Sequence, residues 1–198
     1  FFVTTTHNWI LFFTTRGRVF RVKAHELPDA GRDARGQHVA NLLQLGADEA
    51  VAQVLDLRNY EQSPYLVLAT RGGVVKKTEL SAFSNPRAGG IIAMGVDEGD
   101  SVIAAQISDG TNEVFIGTHD GMAIRFSEAD VRPMGRTAYG VRGVTLREQD
   151  YVVAMEVLKQ SLGLDLSHDR RHLLRAGLES IVYALRTVSD IVSDLIGK

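Results

Sequence analysis

The sequence contains no cysteine. Disulfide scaffolds, thiolate metal sites and cysteine nucleophiles are therefore excluded. Proline is scarce, with 4 residues in 198, and aromatic residues make up 7%. No apolar run reaches the roughly 18 residues that a membrane-spanning helix requires, so no membrane partner is expected. Neither sign of charge dominates: 22 Lys and Arg face 24 Asp and Glu, a net of −2. That balance excludes a uniformly basic nucleic-acid binder, although not a locally basic face. Apolar residues amount to 44% and charged residues to 23%, a composition too apolar for a disordered chain. The start, Phe1-Phe2-Val3, shows neither an initiator Met nor a signal-peptide pattern. It reads as a piece cut from something longer.

Glycine is what the sequence has in quantity. Most of the 19 glycines lie between Gly17 and Gly143, in step with short runs rich in β-branched and aromatic residues. Examples are Trp9-Ile10-Leu11-Phe12-Phe13, Tyr65-Leu66-Val67-Leu68-Ala69, Val102-Ile103-Ala104-Ala105 and Glu113-Val114-Phe115-Ile116. Their length and bounding residues predict strands. Three segments share one punctuation. Thr14-x-x-Gly17, Arg32-x-Ala34-x-Gly36 and Glu49-x-Val51 form the first set. Thr70-x-x-Gly73, Ala88-x-Gly90 and Asp100-x-Val102 form the second. Thr118-x-x-Gly121, Arg136-x-Ala138-x-Gly140 and Asp150-x-Val152 form the third. A basic residue follows each turn glycine by four positions: Arg21, Lys77 and Arg125. A period near ~50 residues matches a four-stranded propeller blade. Thr-x-x-Gly between apolar runs predicts a hairpin in which Gly supplies a positive φ. Gly17, Gly36, Gly73, Gly90, Gly121 and Gly140 are thus expected as structural turn residues.

The texture changes after about Leu158. Leu174, Leu178, Ile181, Leu185, Val188, Val192 and Leu195 alternate steps of four and three, a heptad seam. Ser167 fits an N-cap and Gly197 a stop. Residues 1–158 and 159–198 are accordingly read as a β-repeat region and an amphipathic helical tail. The tail is either docked on its own domain or a self-association seam that would make a homodimer.

No catalytic or metal-binding constellation stands out. Of six histidines, only His168 and His172 fall at helical ligand spacing, and the glutamate of the zinc motif is missing. Asp97, Glu98 and Asp100 lack the spacing of a calcium loop. Gly72-Gly73 and Gly89-Gly90 match neither a P-loop nor a dinucleotide fingerprint. What remains is cations on corresponding loops. Through Leu158 there are 16 Lys and Arg against 19 Asp and Glu. The cations nevertheless gather around Arg16 to Lys23, Arg32 and Arg35, Arg71 to Lys77, and Arg132 to Arg142. The acids gather at Asp48-Glu49, Asp97 to Asp100 and Glu148 to Asp150. If equivalent loops sit alike, cations line one rim and acids the other, and a polyanion would follow the basic rim.

The stretches ILFFTTRGRVFRVKAHELPDAGRDARGQHVANLL, PYLVLATRGGVVKKTEL and AIRFSEADVRPMGRTAYGVRGV resemble the C-terminal domain of the DNA gyrase A protein, over about residues 1–158. The resemblance implies a mainly β fold: a partial β-pinwheel, a propeller-like array of about three four-stranded antiparallel blades, followed by the α-helical tail. It implies a non-catalytic module that wraps duplex DNA through its phosphates, without sequence preference, to support negative supercoiling by an ATP-dependent type II topoisomerase. The partners implied are double-stranded DNA, the gyrase A core and the gyrase B protein, in the bacterial cytoplasm at the nucleoid. ATP and Mg would act outside this chain, which would hold no cofactor. Arg18, Arg21, Arg32, Arg35, Lys76, Lys77, Arg125, Arg136 and Arg142 are the expected phosphate contacts. Two features depart from the family: only part of the disc is covered, and the glutamine- and arginine-rich Gly-Gly box has no match beyond a faint echo at Arg87-Ala88-Gly89-Gly90. The rival reading is a protein-interaction and oligomerisation scaffold built from blades plus a heptad helix.

Overall fold

A computed structural model describes residues 3–29, 33–61, 63–87 and 89–158. Eleven strands follow in chain order: β1 (Trp9–Thr14), β2 (Arg18–Lys23), β3 (Val51–Leu57), β4 (Tyr65–Thr70), β5 (Val74–Glu79), β6 (Ile91–Ile92), β7 (Val102–Ser108), β8 (Glu113–Thr118), β9 (Ala123–Ser127), β10 (Val141–Arg142) and β11 (Val152–Leu158). Arg32, the tail and every heptad residue from Leu174 to Leu195 lie outside the described residues.

Each repeat begins with a tight antiparallel hairpin: β1–β2, β4–β5 and β8–β9. The Thr-x-x-Gly sequence closes it twice. The amides of Gly17, Gly73 and Gly121 donate to the carbonyls of Thr14, Thr70 and Thr118 at 3.0, 3.1 and 3.1 Å. The threonine hydroxyls accept from the amides of Arg18, Val74 and Met122, four residues on. Gly73 and Gly121 take φ values of 87° and 80°, a region where a side chain is strained. The third strand of each repeat (β3, β7, β11) then pairs with the far side of the first strand.

The outermost strand of a blade comes from the next repeat. Arg18 and Val19 of β2 pair with Ile92 and Ile91 of β6, and Val74 and Val75 of β5 pair with Arg142 and Val141 of β10. The sheets therefore run β3-β1-β2-β6, β10-β5-β4-β7 and β11-β8-β9. The expected three antiparallel blades are present, two of them four-stranded. The third blade has three strands among the described residues, because no described segment pairs with the outer edge of β9. The counterpart segment of the first repeat also differs: Val39–Asn41, just after Gly36, forms a 3-10 turn rather than an exchange strand.

Strand alternation explains the core. Leu11 and Phe13 of β1 join Leu66 and Leu68 of β4 in one cluster between the first two blades. Ile10 and Phe12 point the other way, into a cluster with Phe20, Val22 and Leu43. Val67 and Ala69 of β4 meet Val75, Val114, Ile116 and Met155 between blades two and three. Strands buried on both faces read as continuous apolar runs, and each fully buried large side chain contributes about 1.5–3 kcal/mol. β7 lies against both β3 and β11, so the third strands form one side of the array and the exchange strands the opposite edge. Backbone bonds also link the blades on the turn side. Val102 N donates to Thr15 O and Val152 N to Arg71 O, both at 2.9 Å.

Candidate nucleic-acid interface

The exchange segments carry exposed cations, as do several other loops, including Arg16, Arg58 and Arg71. Arg87 precedes β6, Arg136 precedes β10, and Arg142 lies within β10. Arg87 and Arg142 are exposed and Arg136 half-buried, and none makes an ion pair with a described residue. The chain brings Arg87 and Arg136 to one groove of about 540 Å³, lined also by Asn85, Ile92 and Thr137. Arg136 Nη1 reaches the Ile92 carbonyl at 3.5 Å. Two guanidinium groups, an amide and a hydroxyl around one groove form a donor-rich surface suited to a phosphate.

The remaining expected contacts divide sharply. Arg35 is exposed. Arg18 is bound internally. Its Nε donates to Glu49 Oε1 at 2.9 Å, its Nη1 to Gly89 O and its Nη2 to Gln44 O, both at 3.0 Å. The guanidinium also lies 4.9 Å over the Phe20 ring. The Arg18 hydrogen bonds hold the Glu49 carboxyl down to about 2, and Glu49 in turn raises Arg18. Arg21 sits 3.8 Å over Trp9 and donates to Ser84 O. Lys77 donates to Glu128 O at 2.6 Å and lies 5.1 Å from the Tyr65 ring. Arg125 pairs with Glu113 at 2.6 Å.

The cation four residues past each turn glycine thus serves a cross-strand role. It covers the first residue of its hairpin, namely Trp9, Tyr65 or Glu113. The expectation that Lys76 and Lys77 touch phosphates is corrected. They are 0% and 4% exposed, and both ammonium groups are bound to backbone carbonyls.

The acids also depart from a separate rim. Glu49 accepts from Thr14 Oγ1 and Gly46 N, Asp100 from Gly72 N and Ser101 N, and Asp150 from Asp120 N and Tyr151 N. Each ties the third strand of its repeat to its own hairpin turn. Burial pushes the Asp150 carboxyl up, but Thr118, the two amides and His119 outweigh it and lower it. His119, Asp120 and Asp150 bring donor atoms within 4.8 Å of one another. These groups are already engaged in the turn, with His119 stacked on Tyr151 at 4.7 Å and Arg71 3.4 Å over the same ring.

Arg87 is the residue that sequence reasoning left out of the contact set. The first and third repeats place arginine four positions before the glycine, at Arg32 and Arg136. The second has Pro86 there and its arginine one position later. That one-residue offset was the available signal.

Antiparallel blades completed by a strand from the following repeat define a propeller-like repeat protein. The family model for the DNA gyrase C-terminal domain, beta-propeller, matches residues 8–56, 64–109 and 112–159, and the chain belongs to this family. It is 50% identical over 161 residues to the DNA gyrase A protein of Mycolicibacterium smegmatis (strain ATCC 700084 / mc(2)155), covering 80% of this chain and 19% of that protein. The DNA gyrase A protein of Streptomyces coelicolor (strain ATCC BAA-471 / A3(2) / M145) is 49% identical over 166 residues, with the same 80% and 19% coverage. Among solved structures, the C-terminal domain of DNA topoisomerase IV superposes with a TM-score of 0.72 at 34% identity, over 79% of this chain and 49% of that one. The DNA gyrase A C-terminal domain gives 0.64 at 25% identity, over 78% and 49%. The chain thus spans 19% of the length of these gyrase A proteins.

Proposed function

We propose that the β-repeat region binds duplex DNA through its phosphates along the edge formed by the exchange segments. In this reading it holds DNA for a gyrase-type topoisomerase, with the strand-passage and ATP-hydrolysing parts supplied by the gyrase A core and gyrase B protein in the bacterial cytoplasm. The observation that carries the reading is the groove between consecutive exchange segments, with Arg87 and Arg136 in its lining and Arg142 beyond it on β10. Arg35 and Arg32 belong to the corresponding segment of the first repeat. Phosphate contacts of this kind position DNA without reading its sequence.

Fluorescence anisotropy of the 198-residue chain on a duplex, across a salt series, tests it. Log affinity should fall steeply with log salt. The Arg87→Ala, Arg136→Ala, Arg142→Ala triple variant should flatten the slope by ~0.9 per lost contact, equally on unrelated sequences. Unchanged affinity in the triple variant would remove the interface. The exposed apolar edge at Met122 and Ile124 favours a second reading, a protein-interaction scaffold. Absence of DNA binding at the lowest salt would support it.

A further inference from the structure

Lys76 occupies an unusual place for a lysine. It lies on β5, opposite Leu68 of β4, and is fully buried. Its Nζ donates to the Ala93 carbonyl at 2.7 Å and to the Arg136 carbonyl. Ala93 follows β6, the exchange strand docked on the first blade, and its amide donates to Gly17 O at 2.8 Å. Arg136 leads into β10, the exchange strand docked on the second blade. One ammonium group therefore joins two consecutive exchange segments, and these segments form the two walls of the Arg87–Arg136 groove. A backbone bond from Gly95 N to Ala138 O, at 3.0 Å, runs beside it. At the equivalent position, three residues past the turn glycine, the other blades have Phe20 and Ile124, which donate nothing.

We propose that Lys76 is a positioning residue for phosphate binding: its ammonium fixes the separation of the groove walls and holds Arg136 facing Arg87. The proposal rests on the DNA-binding reading above. A buried ammonium on two carbonyls is a charge-assisted latch. Removing its charge weakens both bonds together. Burial, with the neighbouring Arg136 guanidinium, pulls Lys76 down from 10.5 to about 8. Arg136 is the charged side chain facing it; β4 presents Leu68 and the segment after β6 presents the Ala93 carbonyl. The latch therefore loosens as pH rises through about 8. The folded state holds this proton less tightly than the unfolded chain. The protein's stability should accordingly rise from about pH 8 toward 10.5. Loss of DNA affinity in that window is then not unfolding.

The test compares the full chain with Lys76→Met and Lys76→Arg, by anisotropy on a duplex at fixed ionic strength between about pH 7 and 9, with thermal melts alongside. Wild type should lose affinity with a midpoint near the Lys76 value. Lys76→Met should bind roughly tenfold more weakly at neutral pH, with a salt slope lower by ~0.9 and a flat pH profile. Lys76→Arg should recover part of the affinity and also lack the pH step. Adding Arg136→Ala to Lys76→Met should cost little more, because the two act through one contact. A wild-type profile flat across pH 8 overturns the proposal without requiring any variant to fold, as does Lys76→Met binding like wild type. Absence of wild-type binding at low salt would overturn the DNA-binding reading itself, and the proposal with it.

Discussion

The first and third blades start from the same hairpin and end differently. In the first, Met94 O lies 2.4 Å from where a Cβ on Gly17 would sit; in the third, nothing lies within 4 Å of the corresponding position on Gly121. Three residues past those glycines, Phe20 is 2% exposed and Ile124 is 36% exposed. The carbonyl of Gly17 accepts from the amides of Ala93 and Met94, and that of Gly73 from Gly143 and Val144. No described residue does this for Gly121. The hairpin motif thus encodes a site for a strand, and its second strand is covered from two sides: Phe20 packs with Leu43 of its own repeat and lies against Gly90 of the next, which also supplies the exchange strand. A blade is a property of two neighbouring repeats.

The largest effect that would sharpen this comparison is at the core of the docked edge. Phe20→Ala should cost about 3–5 kcal/mol, while Ile124→Ala should cost under ~1 kcal/mol. Urea unfolding of the two variants measures it, and equal losses would break the contrast. Next is the Arg18–Glu49 pair, which only the first repeat has. The folded-state value of Glu49, about 2, is depressed below its ordinary value near 4.5. Its contribution is therefore present above about pH 4.5 and lost as pH falls toward 2. Glu49→Gln should remove about 2 kcal/mol at neutral pH and flatten the acid limb of an unfolding titration. Asp150→Asn, with no arginine partner, should change that limb less. The smallest effect separates two turns. Gly121→Ala should cost about 1 kcal/mol from its positive φ alone. Gly73→Ala should cost more, because the new Cβ would meet Val144 O at 2.9 Å. Equal melting shifts for the two would mean that docking over the turn is loose.

Much of a single repeat was legible, and little of what joins repeats. Thr14, Thr70 and Thr118 with their glycines announce hairpins, because turn chemistry is local. The exchange strands Ile91–Ile92 and Val141–Arg142 are two residues long, too short for any period to show, and alternation never says which sheet receives a strand. Lys76 and Lys77 looked like solvent cations because Val74-Val75-Lys76-Lys77 has no alternation. Their carbonyl partners lie 17 to 60 residues away. The acids of the expected second rim were misplaced for the same reason. Glu49 reaches Thr14 across 35 residues and Asp100 reaches Gly72 across 28. The recurrent arginine spacing drew attention to Arg136 and missed Arg87, which only the folded groove brings beside it.

Strand exchange also sets an order in time. The first blade's own strands end at Leu57, yet its outer edge is closed by residues up to Met94. During synthesis from the N-terminus, that blade waits, three-stranded, until the hairpin of the second repeat and the segment beyond it have emerged. Each new repeat then finishes its predecessor before it is itself finished, so assembly lags translation by one repeat along the chain.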